Sequence, residues 1–243
     1  MRKSKLVASF ADAVGDIPDG ATIAIGGFSA VGTPFNLIKA LREQGAKSLT
    51  CIVNATGGGD ARGVPDPGLL ITNGQLKKVI CSFTAATRAS VVLPLTKYYE
   101  AGLIEAELVP QGTLAERLRA AGAGIPAFYT PAAVGTELAA GRETRRFNGR
   151  DYLLEYALPV DYALVRAHRA DAFGNLQFRL AQRNFNPLMA MAAKVTIVEV
   201  EEEVVPMGGI DPDHVHTSGI FVHRLAQLTA DAIWQPPSLE VAR

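Results

Sequence analysis

The sequence has no excess of either charge: 24 Lys and Arg stand against 24 Asp and Glu in 243 residues. That excludes the basic surplus from which nucleic-acid-binding proteins draw affinity. Cysteine is nearly absent. Cys51 and Cys81 each lie in a β-rich apolar stretch, TCIV and VICSF, and read as buried small hydrophobes rather than a disulfide. Neither has a second Cys or His at ligand spacing, so no metal site is expected. Long apolar runs are also missing. The longest uncharged run, Gly20 to Ile38, holds four glycines, Pro34 and Asn36, which argue against a membrane span. The opening MRKSKLVASFADAV meets Asp12 and Asp16 and is too broken for a signal segment. Ser4 to Val14 reads instead as a surface helix of a soluble cytoplasmic protein.

What is present is the composition of a globular chain, 48% hydrophobic and 20% charged. ATIAIGG, Ala21 to Gly27, is a continuous apolar strand of the kind buried on both faces of a parallel sheet. A helix follows from Pro34 to about Gln44, with Leu37, Ile38 and Leu41 on one face and Gly45 as its stop. SLTCIVN, KKVICSF and EAELVP read as further strands, PLTKYYEAG as helical, and Gly57 to Gly68 as a loop rich in Gly, Asp and Pro. Thr113 followed by Glu116 reads as a capping box that opens another helix. This alternation predicts an α/β fold, a mostly parallel open sheet with flanking helices. The second half adds antiparallel strands: ETRRFNGRDYLLEYAL forms a hairpin about Asn148-Gly149, and YALVRAHRAD turns through Gly174-Asn175 into LQFRL. NPLMAMAAK is a short helix and KVTIVEVE a strand. No linker or repeat interrupts the chain, so 1–227 is expected to be one domain and 228–243 a flexible tail.

Gly26 to Pro34 carries the clearest chemical signal. A buried strand ends in paired glycines, Gly32 follows, and Thr33 and Pro34 stand at the N-cap and first position of a helix. Glycines permit close backbone approach, and a helix start offers unpaired N–H groups, so the segment reads as an anion-binding turn. A tight turn without a ligand is the alternative. The spacing is neither G-x-G-x-x-G nor a P-loop. A serine elbow at Ser29 would need a glycine at position 31, where Val31 stands. Gln111 follows the EAELVP strand, at the sheet edge where α/β proteins place ligands, and its amide can donate to a developing oxyanion. His214 and His216 read as an exposed turn, His168 as half-exposed, and Glu199, Glu201, Glu202 and Glu203 as a solvated strand end.

Taken in order, these segments resemble the A-type (alpha) subunit of the family I CoA-transferases, the 3-oxoacid CoA-transferase group. Asp19 to Pro34 fits a D-G start, an apolar strand and then G-G-F-x-x-x-G-x-P. VPQGTLAERLRAAGAGIPAFYTP, the Asn-Gly hairpin, ALVRAHRADAFGNLQFR, QRNFNP, VEVEE and DPDHVHTSGIFV extend the likeness from about Leu6 to Leu225. The resemblance implies transfer of coenzyme A from an acyl-CoA to a carboxylate such as acetoacetate, 3-oxoadipate or a short fatty acid. It implies a Glu that attacks the thioester, giving an acyl–enzyme anhydride and then an enzyme–CoA thioester. That Glu belongs to the family's B half, so a B-type CoA-transferase partner is expected, most often as α2β2. The coenzyme A thioester is the substrate, and no tightly bound cofactor is implied.

The resemblance assigns coenzyme A to Gly26, Gly27, Phe28, Ser29, Ala30, Val31 and Gly32. It makes Gln111 the catalytic donor facing the acyl group and Asn54 a substrate-binding residue. Ala55 replaces the second Asn of a pair found in many relatives, and Thr84 to Leu95 also departs from the family, where acyl specificity would be set. An acyl-CoA-binding or thioester-hydrolysing protein of the same fold is the alternative.

Overall fold

The computed structural model describes residues 4–59, 65–84, 86, 90–229 and 232. In chain order its strands are β1 (Thr22–Ile25), β2 (Leu49–Ala55), β3 (Leu76–Phe83), β4 (Glu105–Leu108), β5 (Ala127–Thr130), β6 (Thr144–Phe147), β7 (Arg150–Tyr156), β8 (Val160–Ala167), β9 (Arg169–Ala170), β10 (Leu176–Gln177), β11 (Ala193–Val200) and β12 (Arg224–Gln227). The helices are α1 (Phe10–Val14), α2 (Phe35–Gln44), α3 (Gly68–Thr72), α4 (Pro94–Glu100), α5 (Gln111–Gly122) and α6 (Asn186–Ala192).

Seven of these strands pair in the order β12-β11-β8-β1-β2-β3-β4, every pair parallel. The pleat sends alternate side chains to opposite faces. Ile23, Ile25, Cys51, Val53, Val79 and Cys81 enter one core beneath α1, α2, α3 and α4. Ala24, Ile52, Ile80 and Val198 enter a second core beneath α5 and α6. Covering both faces explains why these strands read as unbroken apolar runs. Each fully buried Leu or Ile contributes about 1.5–3 kcal/mol. Burial pushes the Cys51 thiol up to about 12 and the Cys81 thiol up to about 11, so both stay protonated and inert.

Antiparallel strands are present, but in small sheets of their own, β5-β7-β6 and β10-β9. The stretch YALVRAHRAD, read as one of them, is mostly β8, a parallel strand of the main sheet, with only Arg169–Ala170 pairing antiparallel. Asn148 and Gly149, at φ 48° and 79°, close the β6–β7 hairpin as their sequence predicts. The N-terminal helix is shorter than expected. Ser9 caps it and it begins at Phe10, because Leu6 instead bridges in parallel to Leu225 on the edge strand. That edge strand, β12, had no sequence signal beyond four residues, RLAQ. Helix α5 begins at Gln111, ahead of the expected capping box. Pro110 sets its start, Thr113 lies buried in the first turn, and Glu116 pairs with Arg119. The sequence expectation of a tail at 228–243 falls outside the described residues except at 228, 229 and 232.

Candidate active site

All seven parallel strands end at one edge. From β1 the chain winds one way through β2, β3 and β4, then returns to build β8, β11 and β12 on the other side. The reversal lies between β1 and β8, a switch point of the type where open α/β sheets hold ligands. The glycine turn leaves the sheet there, directly after β1.

At its tip the chain folds back sharply. Phe28 N donates to Val31 O at 2.9 Å and Val31 N to Phe28 O at 3.1 Å. Ser29 takes φ 55° between them, and Phe28, Ser29, Ala30 and Val31 are all exposed. Among the described residues the amides of Ser29 and Ala30 have no hydrogen-bond partner. No His or carboxylate bonds the Ser29 hydroxyl among those residues, so nothing supports a serine elbow.

The base of the turn is buried and is held from behind. Asn186, on α6, donates to Gly32 O at 3.0 Å and accepts from Arg166 N at 3.0 Å. A Cβ on Gly26 would run into that Asn186 amide, and one on Gly32 would meet it at 2.7 Å. These glycines therefore make room for a protein side chain, whatever the ligand does.

The helix start beyond the turn differs from the sequence expectation. Thr33 does not cap α2. Its hydroxyl donates back to Ser29 O at 2.7 Å, and Pro34 holds the N-cap position. The free amides of α2 are taken by Glu199, which accepts from Asn36 N at 2.8 Å, Leu37 N at 3.2 Å and Asn36 Nδ2 at 3.2 Å. Glu199 is 0% exposed, so the reading of a solvated acid run is corrected at this residue. It lies in register beside Arg166 of β8, on the face that α2 covers, with Arg166 Nη1 3.3 Å from its carboxylate. Arg166 also donates to Thr33 O at 3.1 Å and, through Nε, to Glu201 Oε1 at 2.8 Å. Burial raises the Glu199 carboxyl above its usual range and the Arg166 charge opposes this, while burial lowers Arg166 and both carboxylates oppose that. The contacts described to Glu199 all come from donors, so it is held as a carboxylate. Opposite charges stood at Arg166 and Glu199 in two apolar strands, but only the register makes them neighbours.

Asn54 and Gln111 are the other two predicted site residues, and the structure brings them together. Asn54 is buried at the end of β2, Gln111 opens α5 just past β4, and Gln111 Nε2 donates to Asn54 Oδ1 at 2.6 Å. That bond uses one of the two N–H groups on the Gln111 amide and orients its plane.

The histidines take structural posts. His168 lies 3.1 Å from Glu201 and 3.2 Å from Glu202. His214 is exposed in a 3₁₀ turn, whereas His216 is half-buried, stacks on Phe178 and accepts from Phe178 N at 3.0 Å. A cleft of about 440 Å³ opens away from the turn, lined by Glu107, Arg117, Arg142 and Glu155 among others, but these charges are paired with one another.

A family model described as Coenzyme A transferase matches residues 7–228. The chain is 47% identical over 231 residues to the A-type chain of 3-oxoadipate CoA-transferase from Pseudomonas putida, covering 94% of this chain and 96% of that one. It is 50% identical over 211 residues to the A-type chain of succinyl-CoA:3-ketoacid coenzyme A transferase from Xanthomonas campestris pv. campestris (strain B100), covering 87% and 83%. In fold it is similar to the crystal structure of glutaconate coenzyme A-transferase from Acidaminococcus fermentans, with a TM-score of 0.80 at 23% identity over 92% of this chain and 75% of that one.

Proposed function

The chain belongs to the coenzyme A transferase family, and on that premise we propose that it is the A-type half of a two-chain enzyme. The enzyme moves coenzyme A from an acyl-CoA to a short-chain carboxylate or 3-oxoacid. The attacking glutamate sits on a B-type partner, and the pair assembles as α2β2. Residues 1–227 are one A-type domain working in the cytoplasm, and the coenzyme A thioester enters as substrate with no tightly bound cofactor.

The observation that carries this reading is the Gln111–Asn54 contact at 2.6 Å on the sheet edge that also bears the glycine turn. Gln111 points an oriented amide at the place where a thioester carbonyl gains charge. As the partner's carboxylate adds to the carbonyl carbon, the oxygen becomes an oxyanion, and a preorganised N–H stabilises it more than it stabilises the ground state. Collapse of that adduct breaks the carbon–sulfur bond, leaving the acyl group on the glutamate as an anhydride and coenzyme A as thiolate. The thiolate then attacks the glutamyl carbonyl and expels the donor acid, and the acceptor carboxylate removes coenzyme A from the resulting enzyme thioester by the same two steps in reverse. Gly26 to Gly32 hold the coenzyme A, and Asn54 holds the amide plane against the substrate. Two of the carboxylates behind the turn favour an outside nucleophile: Glu199 is sealed in the core and Glu201 is bonded to Arg166.

The test is an exchange assay between an acyl-CoA and a free carboxylate, with this chain alone and with a B-type partner. Exchange is expected only in the pair. Exchange by the chain alone, or thioester loss with no acceptor present, would remove the reading.

A further inference from the structure

The glycine turn is held by its carbonyls. Ser29 O accepts from the Thr33 hydroxyl at 2.7 Å, Val31 O from Asn184 Nδ2 at 3.0 Å, Gly32 O from Asn186 Nδ2 at 3.0 Å and Thr33 O from Arg166 Nη1 at 3.1 Å. Asn184, Asn186 and Arg166 come from segments more than a hundred residues away in sequence. In a trans peptide the C=O and the following N–H point in opposite directions. With Ser29 O drawn to Thr33, the Ala30 N–H is turned the other way, toward the exposed tip.

The start of α2 is closed by the same network. Glu199 takes Asn36 N and Leu37 N, the two amides an anion would otherwise seek there, and is fully buried while doing so. Arg166 joins the two halves, since its Nη1 reaches both Glu199 and Thr33 O.

Resting on the coenzyme A reading above, we infer that Glu199 and Arg166 are positioning residues. They fill the helix end and lock the turn so that the ligand meets the tip amides of Ser29 and Ala30, not the start of α2. A residue that only filled the core would leave ligand affinity unchanged in the folded protein. A positioning pair changes it.

The test uses the assembled pair with a B-type partner. Glu199→Gln should raise KM for acyl-CoA about tenfold or more, with kcat lowered less than threefold. Glu199→Asp, which keeps the charge, should recover part of the loss. An unchanged KM in folded Glu199→Gln enzyme overturns the inference. A second measurement needs no variant: amide exchange in the native pair, with and without coenzyme A. Asn36 and Leu37 should be protected in both states, whereas Ser29 and Ala30 should become protected only with coenzyme A. The inference fails if Asn36 and Leu37 respond to coenzyme A while the tip does not. Wild-type exchange activity in the same pair separates the two claims. If it is absent, the coenzyme A reading itself fails and this inference with it.

Discussion

Two glycine-rich turns leave the same sheet edge, and each has a carboxylate held on backbone amides in or just beyond it, but the carboxylates come from very different distances. After β2, Asp66 accepts from Gly58 N at 2.8 Å, Gly59 N at 2.6 Å and Gly68 N at 3.0 Å, all within eight residues of itself. After β1, the carboxylate beyond the turn is Glu199, 163 residues from Asn36 and part of the main sheet. The amide bonds described to Asp66 all come from the first turn itself, a backbone nest filled from within. The second is tied to β8, β11 and α6, so its shape is set by the packing of the whole domain. A site that must present amides to a ligand before the ligand arrives is better built the second way, because its order is already supplied by the fold.

The largest effect that would sharpen this contrast is on stability. Arg166→Ala leaves Glu199 buried without its cation and should cost about 3–5 kcal/mol in urea unfolding. Asp66→Ala removes bonds closed within one loop and should cost about 1–2 kcal/mol. Equal losses would erase the distinction between the two turns.

Next comes the contact between the edge loops. Gln111→Ala should lower kcat of the pair roughly a hundredfold, as for the loss of an oxyanion donor. Unchanged turnover would remove Gln111 from the chemistry and leave its bond to Asn54 as loop packing.

The smallest effect concerns the strand that carries Glu199. Toward its start, Thr196 N donates to His223 Nδ1 at 3.0 Å, which requires that nitrogen to be unprotonated. Burial, then the charges of Lys5 and Arg224, push His223 below its ordinary value of 6.5. The folded protein therefore binds fewer protons than the unfolded chain below that value. This contribution is complete above pH 6.5 and is lost as pH falls through the lowered folded value. Thermal unfolding of His223→Gln should show a weaker fall toward acid than the parent, and an unchanged pH slope would contradict the assignment.

What the sequence disclosed follows the same division between near and far. The apolar run of β1, the Gly45 stop of α2 at φ 86° and the Asn148-Gly149 hairpin depend on residues next to each other, and all three stand as read. The sheet edge with its glycine turn was legible for the same reason. Glu199 was not, because the amides it caps lie on α2 and its cation on β8, and strand register is not written in either segment. Leu6 was misread as helical because its partner, Leu225, stands near the other end of the described chain. The Thr113–Glu116 box misled by a different route: its spacing is right, but Pro110 had already started the helix. Gln111 was singled out by its place after the EAELVP strand and Asn54 through family likeness, and only the fold shows that they touch.

The proposed chemistry depends on an attacking carboxylate that lies outside this chain. Intact-mass measurement of both chains after the pair is mixed with acyl-CoA tests that directly. A coenzyme A adduct on the partner, with this chain at its unmodified mass, is the predicted result. An adduct on this chain would contradict it.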